Sequence, residues 1–287
     1  MITLDRDWTE GNPLRKPGAA TDKNSRGRVL AVGGSATVPA GLLLTGEAAF
    51  RAGAGKVQLA TVASAALAIG VRFPEAAVYP LEQNAGGELG EGCVAEVLRL
   101  FGRSDALILG PGTGSGSDAA AILAGVAGSG ADKPLLIDAA MLHVLPDREA
   151  QVAAFAGARV LTPHPGEMAT LMDCDEDDVC AELAEAAAAR FAATVVLKSG
   201  ETWIATPGAE TLHYAGGGPG LGTGGSGDVL AGIIGGLLAR GVAPQAAAAW
   251  GVWAHGEAGR QLARDIAPLG FLARELLPLV PGLLRGG

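Results

Sequence analysis

Between Gly216 and Gly241 the chain reads GGGPGLGTGGSGDVLAGIIGGLLARG, a glycine-dense loop that runs into an apolar stretch. Gly216, Gly217, Gly218, Gly220, Gly222, Gly224, Gly225 and Gly227 crowd the loop. Residues without a Cβ let backbone N–H groups turn toward a ligand and approach it closely. Leu230, Ile233, Ile234 and Leu237 follow at helical spacing, and Arg240 with Gly241 marks the stop. The positive end of that helix adds free N–H groups, so the junction favours an anion, above all a phosphate. One carboxylate, Asp228, stands at the edge of the cradle. An acid there repels phosphate and needs another reason to be present. Proton abstraction from a hydroxyl that attacks a phosphoryl group is one such reason. Capping the helix, for which Asp is a favoured residue, is the other. No lysine follows the glycines as in a G-x-x-x-x-G-K-[ST] loop. The stretch also lies too late in the chain for a dinucleotide fingerprint after a first strand.

The elements that must position this loop read as strands alternating with helices. Short apolar runs at 28–32, 56–60, 76–79, 106–109, 134–137, 159–161 and 194–197 are expected strands. Helix patterns cover 40–52, 91–101, 244–264 and 271–280. The first strand, the Gly33-Gly34-Ser35 loop, the helix and the second strand resemble a βαβ crossover. Turn chemistry gathers after the strands, in Gly110-Pro111-Gly112-Thr113-Gly114, Thr162-Pro163-His164-Pro165-Gly166-Glu167 and Lys198-Ser199-Gly200. Such a pattern predicts an α/β fold with a mainly parallel sheet, helices on both faces and the loops along one edge. A hairpin is expected at 202–206 and 210–214. Residues 1–27 read as an irregular lead-in, and no linker divides the chain, so residues 1–287 are expected to form a single domain.

Composition narrows the function. The 287 residues carry a net charge of −9 and no basic block, which argues against nucleic acid or an anionic membrane as main partner. The 45 glycines and 4% aromatics belong to a globular composition rather than a disordered one, since Ala and Leu fill the core pattern. Cys93, Cys174 and Cys180 lack metal-ligand spacing and read as free thiols. The start of the chain has no signal-peptide apolar region, and no apolar run approaches a membrane span. The expectation is a soluble, cytoplasmic protein.

In order, GGS, a helix ended by AGAG, GPGTG, TPHPGE, LKSGET and GTGGSGDVLAG resemble the ADP/ATP-dependent NAD(P)H-hydrate dehydratases, over roughly residues 27–281. The pairing of TPHPGE with GTGGSGDVLAG is the specific part. That resemblance implies a ribokinase-like fold and a lyase of nicotinamide coenzyme repair. Its substrate would be the S-form of hydrated NADH or NADPH (NADHX or NADPHX), its phosphoryl donor ADP or ATP, and its metal Mg2+. It implies Asp228 as the base that takes the ring hydroxyl's proton, contacting the substrate as it does so. Gly225, Ser226 and Gly227 would stabilise the transferred group through backbone N–H donors. Lys198, Ser199, Gly200, Glu201 and Thr202, with Gly227, would meet the nucleotide. Gly41, Gly112, Gly114 and His164 would contact the coenzyme; Gly41 stands where the family has Ala, because Gly-Ala is here swapped to Ala40-Gly41. Glu167 and Asp138 are the candidates for Mg2+, acting through water, with contact to the substrate the other role open to Asp138. The family usually reads Asp-Ala-Asp-Ala-Leu-Asn where this chain has Asp138-Ala139-Ala140-Met141-Leu142-His143, so one acid is missing and His143 replaces Asn. A lost carboxylate should weaken or reshape metal binding.

By the same resemblance the protein is expected to be a homo-oligomer, often a tetramer, with the hydrate epimerase on a separate chain. The small residues of 245–258, with Trp250 and Trp253, are suited either to a subunit interface or to the core. Two alternatives stand: a ribokinase-like small-molecule kinase that stops at phosphorylation, and a non-catalytic nucleotide-binding relative. PHPGE favours the dehydratase over the first, and intact GSGD and KSGET disfavour the second.

Overall fold

The computed structural model describes residues 1–16, 18 and 20–285; positions 17 and 19 of the expected lead-in, and 286–287, lie outside the described residues. The lead-in is not irregular throughout. Ile2–Thr3 (β1) pairs with a late strand, and Arg6–Gly11 (α1) starts at Asp5, whose carboxylate accepts from the Trp8 N–H at 2.9 Å. That cap and the Trp250 indole, which donates to the Asn12 carbonyl at 2.8 Å, fasten the segment.

Arg28–Val32 (β2), Gly41–Arg51 (α2) and Lys56–Val62 (β3) form the expected crossover. Ala63–Arg72 (α3), Ala77–Leu81 (β4), Val94–Phe101 (α4) and Ala106–Leu109 (β5) follow. Ser117–Ala127 (α5), Leu135–Ile137 (β6), Glu149–Ala153 (α6) and Arg159–Leu161 (β7) continue the alternation, as do Pro165–Met172 (α7), Ala181–Phe191 (α8) and Thr194–Lys198 (β8). Thr202–Ala205 (β9) and Leu212–Tyr214 (β10) make the expected hairpin. Ser226–Ala239 (α9) and Pro244–Asp265 (α10) are the long helices near the end of the chain. The span 271–280 is not one helix. Ala273–Leu276 (α11) and Val280–Leu283 (α12) are separated by a turn at Leu277–Leu279, because Pro278 and Pro281 cannot donate to a continuous ladder.

The ten strands lie in one sheet, in the order β1-β10-β9-β8-β7-β6-β5-β2-β3-β4. Every pairing from β4 across to β8 is parallel, and only β9 runs against its neighbours. From β2 the chain winds outward through β3 to β4. It then returns to the other side of β2 at β5 and winds the opposite way. This reversal opens a crevice at the C-terminal ends of β2 and β5, the place where open α/β sheets bind ligands.

Helix α9 lies over that point on one face, packed between α2 and α10 and against β5. It is buried nearly all round. Its glycines permit this: a Cβ at Gly235 would meet Ile108 of β5, and one at Gly232 would meet the Thr45 carbonyl of α2. Helices α4, α5, α6 and α8 cover the other face. Trp250 of α10 is fully buried within this single chain, so core packing accounts for it. No helix among the described residues is long and apolar enough to cross a membrane.

Candidate active site

The N-terminus of α9 is built to leave donors free. Gly225 is its N-cap at φ 87°, a left-handed conformation that a side chain disfavours, and a Cβ there would press into Leu44. The Ser226 N–H is spent on the Thr223 carbonyl at 3.2 Å. The N–H groups of Gly225, Gly227 and Asp228 have no protein partner among the described residues. Of the three donors expected from the loop, Gly225 and Gly227 are therefore available, Ser226 is not, and Asp228 supplies another. Three free N–H groups at the positive end of a 14-residue helix make an anion site.

The capping explanation for Asp228 fails on position. Asp228 is the third residue of α9, and no side chain caps this helix. Its carboxylate lies instead against Gly41, the first residue of α2, where a Cβ would sit 3.1 Å from Oδ2. Burial pushes its carboxyl up to about 7, with repulsion from Asp138 adding and Lys198 opposing. A carboxylate poised near neutrality beside free donors is suited to taking a proton.

Lys198, at the end of β8, is paired with a second acid and acts on Asp228 through its charge. Its Nζ donates to Asp138 Oδ1 at 2.9 Å, and Thr162 Oγ1 donates to the same oxygen at 2.6 Å. Burial works against the Lys198 charge, but Asp138, Glu167 and Asp228 outweigh it and hold the ammonium above the ordinary lysine range. Asp138, 2% exposed, is followed by Ala139 at φ 53°, a left-handed conformation unusual for alanine.

Beside these groups opens a cavity of about 740 Å³. Lys198, Ser199, Gly200, Thr202 and Gly227 line it, as expected of nucleotide residues, and Leu221, Leu230 and Val252 give it an apolar wall. Glu201 does not join them. Its carboxylate lies 2.7 Å from His213 Nε2, across the hairpin, while its carbonyl accepts from the Ser199 N–H to shape the turn. Tyr214 and His255 also line the cavity, and neither follows from local motifs. His255 Nε2 lies 2.9 Å from Ser226 Oγ, and burial pushes its imidazolium down to about 4. Its sequence signal is slight: a lone histidine on the buried face of an Ala-rich helix, beside Gly251, Ala254 and Ala258.

The coenzyme candidates meet at the crevice with unequal fit. The Gly34 N–H donates to the Pro111 carbonyl at 2.7 Å, which clamps the loops after β2 and β5 together. The N–H of Gly112, at φ 69°, has no protein partner among the described residues, and a Cβ would crowd the Val38 carbonyl. The Gly114 N–H is already taken by Glu88 Oε2 at 2.8 Å. His164 is the N-cap of α7, 57% exposed along its side chain, and lines the same cavity as Lys198. Glu167 closes a capping box with it: its Oε2 accepts from the His164 N–H at 2.8 Å. His143 is exposed.

For a hard divalent cation the donors are sparse. Among the described residues no group of three or more His, Cys, Asp or Glu side chains is arranged to hold a metal. Among the described residues Asp138 keeps Oδ2 free of protein donors, and Glu167 spends Oε2 on its cap while Oε1 lies 3.5 Å from His164 Nε2. One or two carboxylates, completed by waters and phosphate oxygens, is the donor set Mg2+ commonly accepts.

The family model described as NAD(P)H-hydrate dehydratase matches residues 29–281. An ADP-dependent (S)-NAD(P)H-hydrate dehydratase of Xanthomonas campestris is 45% identical over 279 residues, covering 95% of this chain and 92% of that one. The chain spans about half the length of the bifunctional NAD(P)H-hydrate repair enzymes it also matches, such as that of Thermofilum pendens (34% identical, 52% of its length). An ADP/ATP-dependent NAD(P)H-hydrate dehydratase of Bacillus subtilis, co-crystallised with ATP and Mg2+, superposes with a TM-score of 0.85 at 26% identity, over 98% of this chain and 97% of that one. A ribokinase-like superfamily protein of Enterococcus faecalis gives 0.82 at 25%, over 99% and 95%.

Proposed function

The chain belongs to the NAD(P)H-hydrate dehydratase family, and on that premise we propose that it is an ADP- or ATP-dependent lyase restoring NADH or NADPH from the S-form of the hydrated coenzyme. The observation that carries the proposal is the meeting of three unpaired N–H groups with a half-neutral Asp228 at the sheet's crevice. The donor nucleotide occupies the cavity along Lys198, Ser199, Gly200, Thr202 and Gly227, and its terminal phosphoryl group reaches the N-terminus of α9. The hydrated ring approaches from the Gly41 and Gly112 side.

Asp228 takes the proton of the ring hydroxyl as its oxygen attacks phosphorus, forming the new O–P bond while the bond to the nucleotide breaks. The N–H groups of Gly225, Gly227 and Asp228 balance the charge on the transferred group. The ring nitrogen lone pair then expels phosphate with the electrons of its C–O bond, and loss of the neighbouring proton to water restores the dihydronicotinamide. Mg2+, when bound, supplies charge neutralisation on the phosphates. Asp138 Oδ2 is the residue atom open to its hydration shell, with Lys198 holding that carboxylate in place.

The whole chain is read as a single domain, acting in the cytoplasm, where the free Cys93, Cys174 and Cys180 are at home. A homo-oligomer is its expected form, and Leu67 and Val71 of α3, 81% and 78% exposed, are apolar surface such an assembly would cover. The test follows absorbance of the dihydronicotinamide band with hydrated NADH, Mg2+ and either ADP or ATP. Nucleotide-dependent recovery supports the proposal and names the donor. A flat trace, with an active family member recovering the band in parallel, contradicts it.

A further inference from the structure

Ser226 is held at two points that together fix the start of α9. Its N–H donates to the Thr223 carbonyl at 3.2 Å, and its hydroxyl lies 2.9 Å from Nε2 of His255 on α10. Ser226 is 5% and His255 9% exposed, so neither contact competes freely with water. The residues on either side, Gly225 and Gly227, have no side chain to hold them: Gly225 is packed only through its backbone beside Leu44, and a Cβ at Gly227 would meet only the Lys198 ammonium, at 3.6 Å. Two glycines thus flank the one residue of the three that a side-chain contact pins.

We propose that His255 is a positioning residue of the phosphoryl cradle: it holds Ser226 by the hydroxyl so that the N–H groups of Gly225, Gly227 and Asp228 stay aimed at the terminal phosphoryl group of the donor. The proposal rests on reading the α9 N-terminus as the phosphoryl site. Two simpler roles are set aside by the geometry. A phosphate-binding cation would have to be charged, whereas this ring is buried and kept neutral. A mere wall of the nucleotide cavity would not need its Nε2 committed to the cradle's central residue. Backbone donors pre-aimed by a brace pay no reorganisation cost when the anion arrives, which is where such donors gain their strength.

The brace acts on terminal phosphates and not on the nucleoside, and that difference gives the test. AMP and ATP are titrated by calorimetry into the full-length wild type, His255→Ala, His255→Gln and Ser226→Ala. Wild type should hold ATP more tightly than AMP. In His255→Ala and Ser226→Ala that preference should fall about tenfold, the scale of one charge-assisted hydrogen bond, because ATP loses more affinity than AMP. Gln carries a polar atom near the Nε2 position, so His255→Gln should regain most of the preference. If AMP and ATP weaken by one common factor in His255→Ala, the residue only lines the cavity and the brace is overturned. A normal preference in Ser226→Ala overturns it as well, and that variant decides the matter should His255→Ala fail to fold. No preference in the wild type would remove the phosphoryl cradle itself, and the brace with it.

Discussion

Asp228 is the residue on which both chemistry and stability turn. Its carboxyl, pushed up to about 7 chiefly by burial, is protonated and useless as a base in mild acid. Turnover should therefore rise with pH through about 7, and Asp228→Asn should lower it by about 10²–10⁴-fold while leaving nucleotide affinity within a few-fold. A pH–rate profile of kcat with calorimetric titration of the donor checks both. The stability sign is also fixed. A carboxyl whose folded pKa exceeds its unfolded value of 3.8 favours the fold at low pH, and that favour is lost as pH rises toward 7. Asp228→Asn should thus raise Tm relative to wild type more at pH 8 than at pH 4; an equal difference at both would contradict the burial of the charge. Asp228 was legible in the sequence because it breaks the electrostatics of its own loop. Asp138 with Lys198, and Ser226 with His255, were not legible as pairs: the partners are 60 and 29 positions apart, and only the sheet register and the α9–α10 packing unite them.

At the scale of elements, α9 carries the account. Its composition, small and apolar on every side, follows from lying between α2, α10 and the sheet. A Cβ at Gly232 would strike the Thr45 carbonyl and Ala48 of α2. Gly232→Ala should accordingly destabilise the protein by about 1–3 kcal/mol despite Ala's better helix propensity. It should also weaken donor binding, because the cradle moves with the helix. Urea denaturation checks the first effect; a stabilised Gly232→Ala protein would mean α2 and α9 are packed more loosely than described. Helix α9 and most of the parallel strands were readable as short apolar runs closed by turn residues. Helices α3, α5 and α8 were not read, since Ala-rich segments such as AELAEAAAARF offer few large apolar residues to mark the buried face. The broken helix near the end reflects a neglected signal, the backbone break that Pro278 and Pro281 impose.

Across the whole molecule, strand order places the site. The reversal at β2 and β5 brings the Gly33–Gly34 and Pro111–Gly112 loops together, and the late helix α9 delivers Asp228 and its free N–H groups to the same edge. The α/β class and the edge bearing the loops follow from the alternation of elements. The order of strands does not, because it depends on which faces cover which once the chain has collapsed. On the proposed function, phosphoryl transfer and water loss are one sequence at one site, with phosphate a product rather than a group left on the ring. The direct test counts products: nucleotide cleaved, inorganic phosphate released and dihydronicotinamide restored, in one reaction with hydrated NADH, Mg2+ and the preferred donor. A ratio of about one to one to one is expected, with all three lost together in Asp228→Asn. Nucleotide cleaved with phosphate retained on the organic product and no restored ring would contradict it, and would make the protein a kinase of the same fold.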